Sequence, residues 1–321
     1  MFRSGLLASI VDQVSRGDTT PVGRIAGIPV FLHPSTTLLW GVVAFALMRG
    51  IGPALLPGHG AFALGVVCGL WAILLMSSIL VHELGHALVA RHERVPVLGV
   101  HLFLLGGVTL LAREPGEARS ELRIALAGPV VSLAAAIVAC AGCLAASELT
   151  ADPIPTSVLG LLAITHLLLA TTNALPALPL DGGKALRALF WLVNGSRARS
   201  TVLAARAGRW LAFSLVACGL ASVVRGEWLG LGIALFGWFT GESSARATTH
   251  AMHELARAYA SSPVVGSGVA AARGTDRARH ESMPSRTNRA IPGQLPSKPK
   301  APPAAEESRA GSVASSEFSR R

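Results

Sequence analysis

His82, Glu83 and His86 stand in the order HExxH, within Val81-His82-Glu83-Leu84-Gly85-His86. On an α-helix, residues four apart share one face about one turn apart. The two imidazoles can therefore reach a single metal ion. Glu83 projects beside them and can take a proton from metal-bound water. The ion expected is zinc, one per chain. Catalytic zinc takes three protein ligands and leaves a position for water. The best candidate for the third ligand is Asp181, in Asn173-Ala174-Leu175-Pro176-Ala177-Leu178-Pro179-Leu180-Asp181-Gly182-Gly183. Plainer readings stand beside these. The histidines could be the solvated end of a membrane helix, and Asp181 could be a turn residue before Gly-Gly.

Elements must bring these two stretches together. Of the 321 residues, 51% are hydrophobic and 14% charged, against about 25% charged in a soluble globular chain. Uncharged runs of about 18 residues or more can span the hydrocarbon core. The pattern predicts helices over 34–52, over 61–81 running on through His82 to Ala90, over 124–147 and over 156–180. Pro176 and Pro179 break the last of these near its end. Two shorter apolar segments follow, 210–224 and 228–240, each below the usual span. Residues 96–112, β-branched and apolar around Gly106-Gly107, predict a hairpin or re-entrant strand pair. The fold expected is an all-α polytopic membrane bundle of about six transmembrane helices with a small membrane-associated β-hairpin or sheet. Residues 1–33 form an N-terminal cytoplasmic or interfacial segment without a cleavable signal peptide, and residues 34–245 the working domain. From about 255 large apolar residues almost vanish, predicting a disordered cytoplasmic tail over 255–321.

Orientation follows from the arginines. Arg3, Arg16 and Arg24 precede the first helix. Arg91, Arg94, Arg113, Arg119 and Arg123 lie between the second and third, and Lys184, Arg187, Arg197, Arg199, Arg206 and Arg209 follow the fourth. Residues 148–155 carry only Glu148 and Asp152. Basic loops on alternate sides place both termini in the cytoplasm. The second and fourth helices then both run inward, and bring His82–His86 and Asp181 to the same depth. Ionisable residues there are rare and usually functional. Irregular backbone at that depth is tolerated only where it is buried or lines a wet cavity.

The formal net charge of +10 is accounted for by these loops and the tail. With no nucleic-acid-binding motif, a nucleic-acid partner is not expected. Cys140 and Cys143 form a CxxC without a second pair. With Cys68 and Cys218 they read as helix-packing residues rather than disulfides. His33, His92, His101 and His166 read as packing or interfacial residues.

HELGH ending a membrane helix, with NALPALPLDGG far downstream, resembles the site-2 protease family of intramembrane zinc metalloproteases (peptidase family M50). Gly27-Ile28-Pro29-Val30 with His33-Pro34-Ser35, Gly106-Gly107-Val108, and Glu121 through Ala127-Gly128-Pro129 extend the resemblance over roughly residues 22–240. The resemblance implies that His82, His86 and Asp181 bind zinc and that Glu83 is the general base. It also implies that Asn173 steadies the substrate or the oxyanion. The substrates implied are transmembrane proteins, cleaved within the lipid bilayer from the cytoplasmic side of the cell membrane. A regulatory protein such as an anti-sigma factor fits the resemblance. The 96–112 segment would hold an unwound substrate by strand addition. Neither an inserted PDZ domain nor a CBS pair is recognisable, and the oligomeric state is not legible. Two rival readings are a membrane metal transporter and a noncatalytic scaffold derived from a protease. The absence of an internal repeat, and a glutamate inside HExxH without a transport role, weigh against the first. The intact His82, Glu83, His86 and Asp181 weigh against the second.

Overall fold

The computed structural model describes residues 19–103 and 106–260. The chain begins with two strands, β1 (Thr20–Ile25) and β2 (Ile28–Leu32), then α1 (Ser35–Arg49) and the single turn α2 (Gly52–Leu55). The long helix α3 (Ala61–His92) leads to strands β3 (Val97–Phe103) and β4 (Gly106–Leu111). Helices α4 (Ala118–Leu149), α5 (Pro153–Asn173), α6 (Asp181–Asn194), α7 (Arg197–Val224) and α8 (Leu229–Ala260) complete it. Residues 1–18 of the expected N-terminal segment, and the expected tail from 261 on, lie outside the described residues.

Four of the described helices, α3, α4, α5 and α7, are long and apolar enough to cross a membrane. Their surfaces agree: Phe62, Val66 and Ile73 on α3, Val130, Ile137 and Val138 on α4, and Ile164 and Leu168 on α5 are all exposed. In water, contiguous apolar faces of this kind would associate; in hydrocarbon they are the solvated side. The chain is a membrane protein. Inside, glycine and alanine replace bulk, because helices in lipid gain little from burying apolar area and associate by close packing. Ala87, Ala90, Ala188, Ala204 and Ala205 are fully buried.

Several boundaries differ from expectation. The helix expected over 156–180 ends at Asn173, eight residues before Asp181, because the prolines forbid its continuation. A separate helix, α6, starts at Asp181 where a loop was expected. The segment expected at 210–224 is the second half of α7, which runs 28 residues. The segment 228–240 is the apolar first part of α8; from Gly241 that helix turns polar, and it runs on to Ala260.

The hairpin expected at 96–112 is present as β3 and β4, but it is half of a four-stranded sheet ordered β1-β2-β3-β4. The segment expected to lead into the first helix supplies the other half. Ala26 and Gly27 both have positive φ, the geometry of a two-residue turn joining twisted antiparallel strands. Strand β2 then lies parallel to β3, pairing Val30 with Val100 and Leu32 with Leu102. Ile28, Val100 and Leu102 pack with Met76 and Ala87 of α3 into a buried cluster. The sheet is thereby fixed against the turns of α3 that carry HExxH.

Candidate metal centre

His82 and His86 project from one face of α3 and are buried, at 2% and 6% exposure. Their Nε2 atoms lie 3.2 Å apart. Asp181, 4% exposed, brings Oδ2 to 3.1 Å from the His82 Nε2 and 3.0 Å from the His86 Nε2. Among the described residues, these three form the one group of histidine, cysteine and acidic side chains able to share an ion.

The imidazoles are held from behind. His86 Nδ1 donates to the carbonyl oxygen of Ile124 on α4 at 2.7 Å. A carbonyl only accepts, so the proton sits on Nδ1 and Nε2 presents its lone pair to the centre. His82 Nδ1 is hydrogen-bonded to Ser132 Oγ, 2.9 Å away. Helix α4 approaches this closely because residue 128 is glycine. A Cβ there would overlap His86 Nε2 and stand 2.6 Å from His82 Nε2.

Asp181 arrives differently. Residues 174–180 leave the end of α5 in a tight irregular turn, and α6 starts directly on top of it. Cβ atoms at Gly182 and Gly183 would overlap the backbone of Ala174 and of Ala177. This explains the Gly-Gly after the aspartate. Lys184, one turn along α6, donates from Nζ to Asp181 Oδ1 at 2.9 Å, which leaves Oδ2 for the centre. Burial opposes ionisation of Asp181. The positive charge of Lys184 leads the influences that outweigh it, holding the carboxyl well below the usual carboxylate range. The N-terminus of α6 also favours negative charge.

The donor set fits zinc. Tetrahedral bonds of about 2.0 Å place neighbouring ligand atoms about 3.3 Å apart. The three separations, 3.0, 3.1 and 3.2 Å, fall close to that edge. A carboxylate oxygen and an imidazole lone pair converging in a buried space repel one another unless a cation sits between them.

Glu83 stands outside the triangle. Its Oε2 accepts from Thr109 Oγ1 of β4 at 2.7 Å, and the same hydroxyl lies 3.0 Å from the Glu83 carbonyl oxygen. Gly107 of β4 lets the strand pass against it: a Cβ there would sit 2.6 Å from Glu83 Cγ. Asn173 is not drawn into the cluster; its Nδ2 donates to Leu169 O within α5 at 2.9 Å. Of the other histidines, His33 pairs with Ser35, His101 stacks on Phe31, and His166 is buried in α5. Ser132 and Thr109 were not read from the sequence, and Lys184 was read there only as a basic loop residue, not as part of the site. None sits at a diagnostic spacing, and the first two meet the centre only through packing between elements.

The profile of peptidase family M50 matches residues 70–149 and 143–215. Over 223 residues the chain is 39% identical to Rip3 of Mycobacterium tuberculosis, whose name describes a zinc metalloprotease; the match covers 69% of this chain and 56% of that protein. The zinc metalloprotease MJ0392 of Methanocaldococcus jannaschii is 33% identical over 229 residues, 70% of this chain and 59% of that one. The chain thus spans little more than half the length of these relatives. The solved site-2 protease of Methanocaldococcus jannaschii is 28% identical, with a TM-score of 0.48, covering 72% of this chain and 95% of that one. With the family profile matched across the residues that carry its three converging ligands, and with bacterial and archaeal relatives 39% and 33% identical to it, the chain belongs to peptidase family M50, the site-2 protease family.

Proposed function

We propose that the chain is an intramembrane zinc metalloendopeptidase that hydrolyses peptide bonds in the transmembrane segments of membrane proteins. The observation that carries this reading is the convergence of His82 Nε2, His86 Nε2 and Asp181 Oδ2 within 3.2 Å of one another, at the end of a membrane helix. These three would hold one zinc ion. Zinc bound there would acidify water and polarise a carbonyl.

The chain's own residues supply the rest. Glu83, beside the ligands but not among them, takes the proton of the attacking water and passes it to the leaving amine nitrogen. Thr109 holds that carboxylate in line through Oε2. The far edge of β4 has no strand neighbour among the described residues. A substrate unwound from its helix can add to that edge beside Glu83. Asn173 would serve the substrate or the oxyanion by exchanging its bond to Leu169 for one to the substrate backbone. Residues 34–245 form the proteolytic domain, between an interfacial segment over 1–33 and a tail over 255–321. Both termini and the centre face the cytoplasm across the cell membrane.

The test is cleavage of a transmembrane reporter by the purified full chain. Glu83→Gln should lower the rate by about 10²–10⁴ while zinc binding stays within threefold of wild type. Cleavage at the wild-type rate would remove Glu83 from the mechanism. Zinc binding without any cleavage by the wild type would point to transport or a scaffold instead.

A further inference from the structure

Glu121 lies in the first turn of α4 and is 4% exposed. A carboxylate so buried is costly unless its oxygens are paired. Oε1 accepts from Arg187 Nε on α6 at 2.6 Å, and Oε2 from Arg197 Nε at the start of α7 at 2.9 Å. Arg197 also pairs with Glu114, so the four groups sum to zero charge.

The placement of this network is informative. Arg187 follows Asp181 by six residues on α6, about 9 Å along the axis. On α4, Glu121 precedes by three residues Ile124, whose carbonyl holds His86, and by seven Gly128, which faces both imidazoles. The same two turns of α4 therefore hold the histidine side of the centre directly and grip the helix that carries the aspartate.

Metal ligation tolerates only small errors in ligand position. Contacts between small residues do little to stop a helix sliding or turning, whereas a guanidinium on a carboxylate is directional. We propose that Glu121 is a positioning residue, which through Arg187 sets the rotation and height of α6 so that Asp181 Oδ2 meets His82 and His86. This rests on the zinc reading of the centre.

The test uses the full chain in lipid nanodiscs. Zinc affinity is measured by competition with a chromophoric chelator, ligand geometry by the visible spectrum of the Co²⁺-loaded protein, and stability by the unfolding temperature of the metal-free form. Arg187→Met should weaken zinc binding at least tenfold and alter the Co²⁺ spectrum. Arg197→Met, which removes an equivalent bond from the same carboxylate, should stay within threefold and keep the spectrum. If the methionine variants are not recovered folded, Arg187→Lys and Arg197→Lys make the same comparison with a smaller expected gap. Equal weakening in the two variants, weakening that only follows the unfolding temperature, or wild-type affinity in Arg187→Met would overturn the proposal. His82→Ala separates the two readings: undiminished zinc binding there would overturn the metal centre, and this inference with it.

Discussion

The two sides of the centre reach the same point by opposite means. The histidines come from the middle of regular structure, one face of a 32-residue helix, and are steadied by α4 through Ser132 and Ile124. The aspartate comes from a break in structure, at the first residue of α6, after a turn so tight that two glycines are needed to close it. The spacing of the histidines is a local property of the helix. The place of the aspartate is a property of the assembled fold, because it depends on the α5–α6 turn, on Lys184 and on how α6 seats against α4.

Breaking the histidine side should have the largest effect. Gly128→Ala sets a methyl group against both Nε2 atoms, in the space an ion would share with them. Zinc affinity should fall more than a hundredfold and reporter cleavage should be lost, with a stability cost of about 1–3 kcal/mol from overpacking. Chelator competition and thermal unfolding measure the two, and near-normal binding would contradict the packing described. The aspartate side should fail more gently. Gly182→Ala forces the turn and α6 apart and withdraws Oδ2, leaving a two-histidine site. The expected loss is roughly ten- to hundredfold in zinc affinity, with the remaining affinity abolished by adding His86→Ala. A residue that only steadies a ligand should matter least. Ser132→Ala removes the hydrogen bond to His82 Nδ1 and should weaken zinc about tenfold, a shift that chelator competition resolves. A larger loss in Ser132→Ala than in Gly182→Ala would reverse the comparison.

The same division explains what the sequence made legible. HExxH was readable because its geometry follows from the helical repeat alone. Asp181 was readable as a candidate because prolines and glycines mark a broken helix, although the separate helix α6 beginning there was not foreseen. The four-stranded sheet was half hidden. Its central pairing, β2 with β3, is parallel and joins Val30 to Val100 across most of α1–α3, and nothing local in either strand announces it. Glu121 was visible as the first residue of a stretch resembling the family, but nothing announced its burial; its partners, Arg187 and Arg197, read as loop charges on the basic side of the membrane. Side chains that steady ligands carry no spacing of their own, so Ser132 and Thr109 had to await the fold.

Thr109 holds both the carboxylate and the main-chain carbonyl of Glu83 from strand β4. Glu83 is thus latched to a sheet rather than to the helix that bears it. Any wedge that lifts β4 from α3 also unlatches the group that would deprotonate water, without touching an ion-binding side chain. An inhibitor shaped for that seam would have no need of the metal-chelating warhead on which ligands for such centres usually depend.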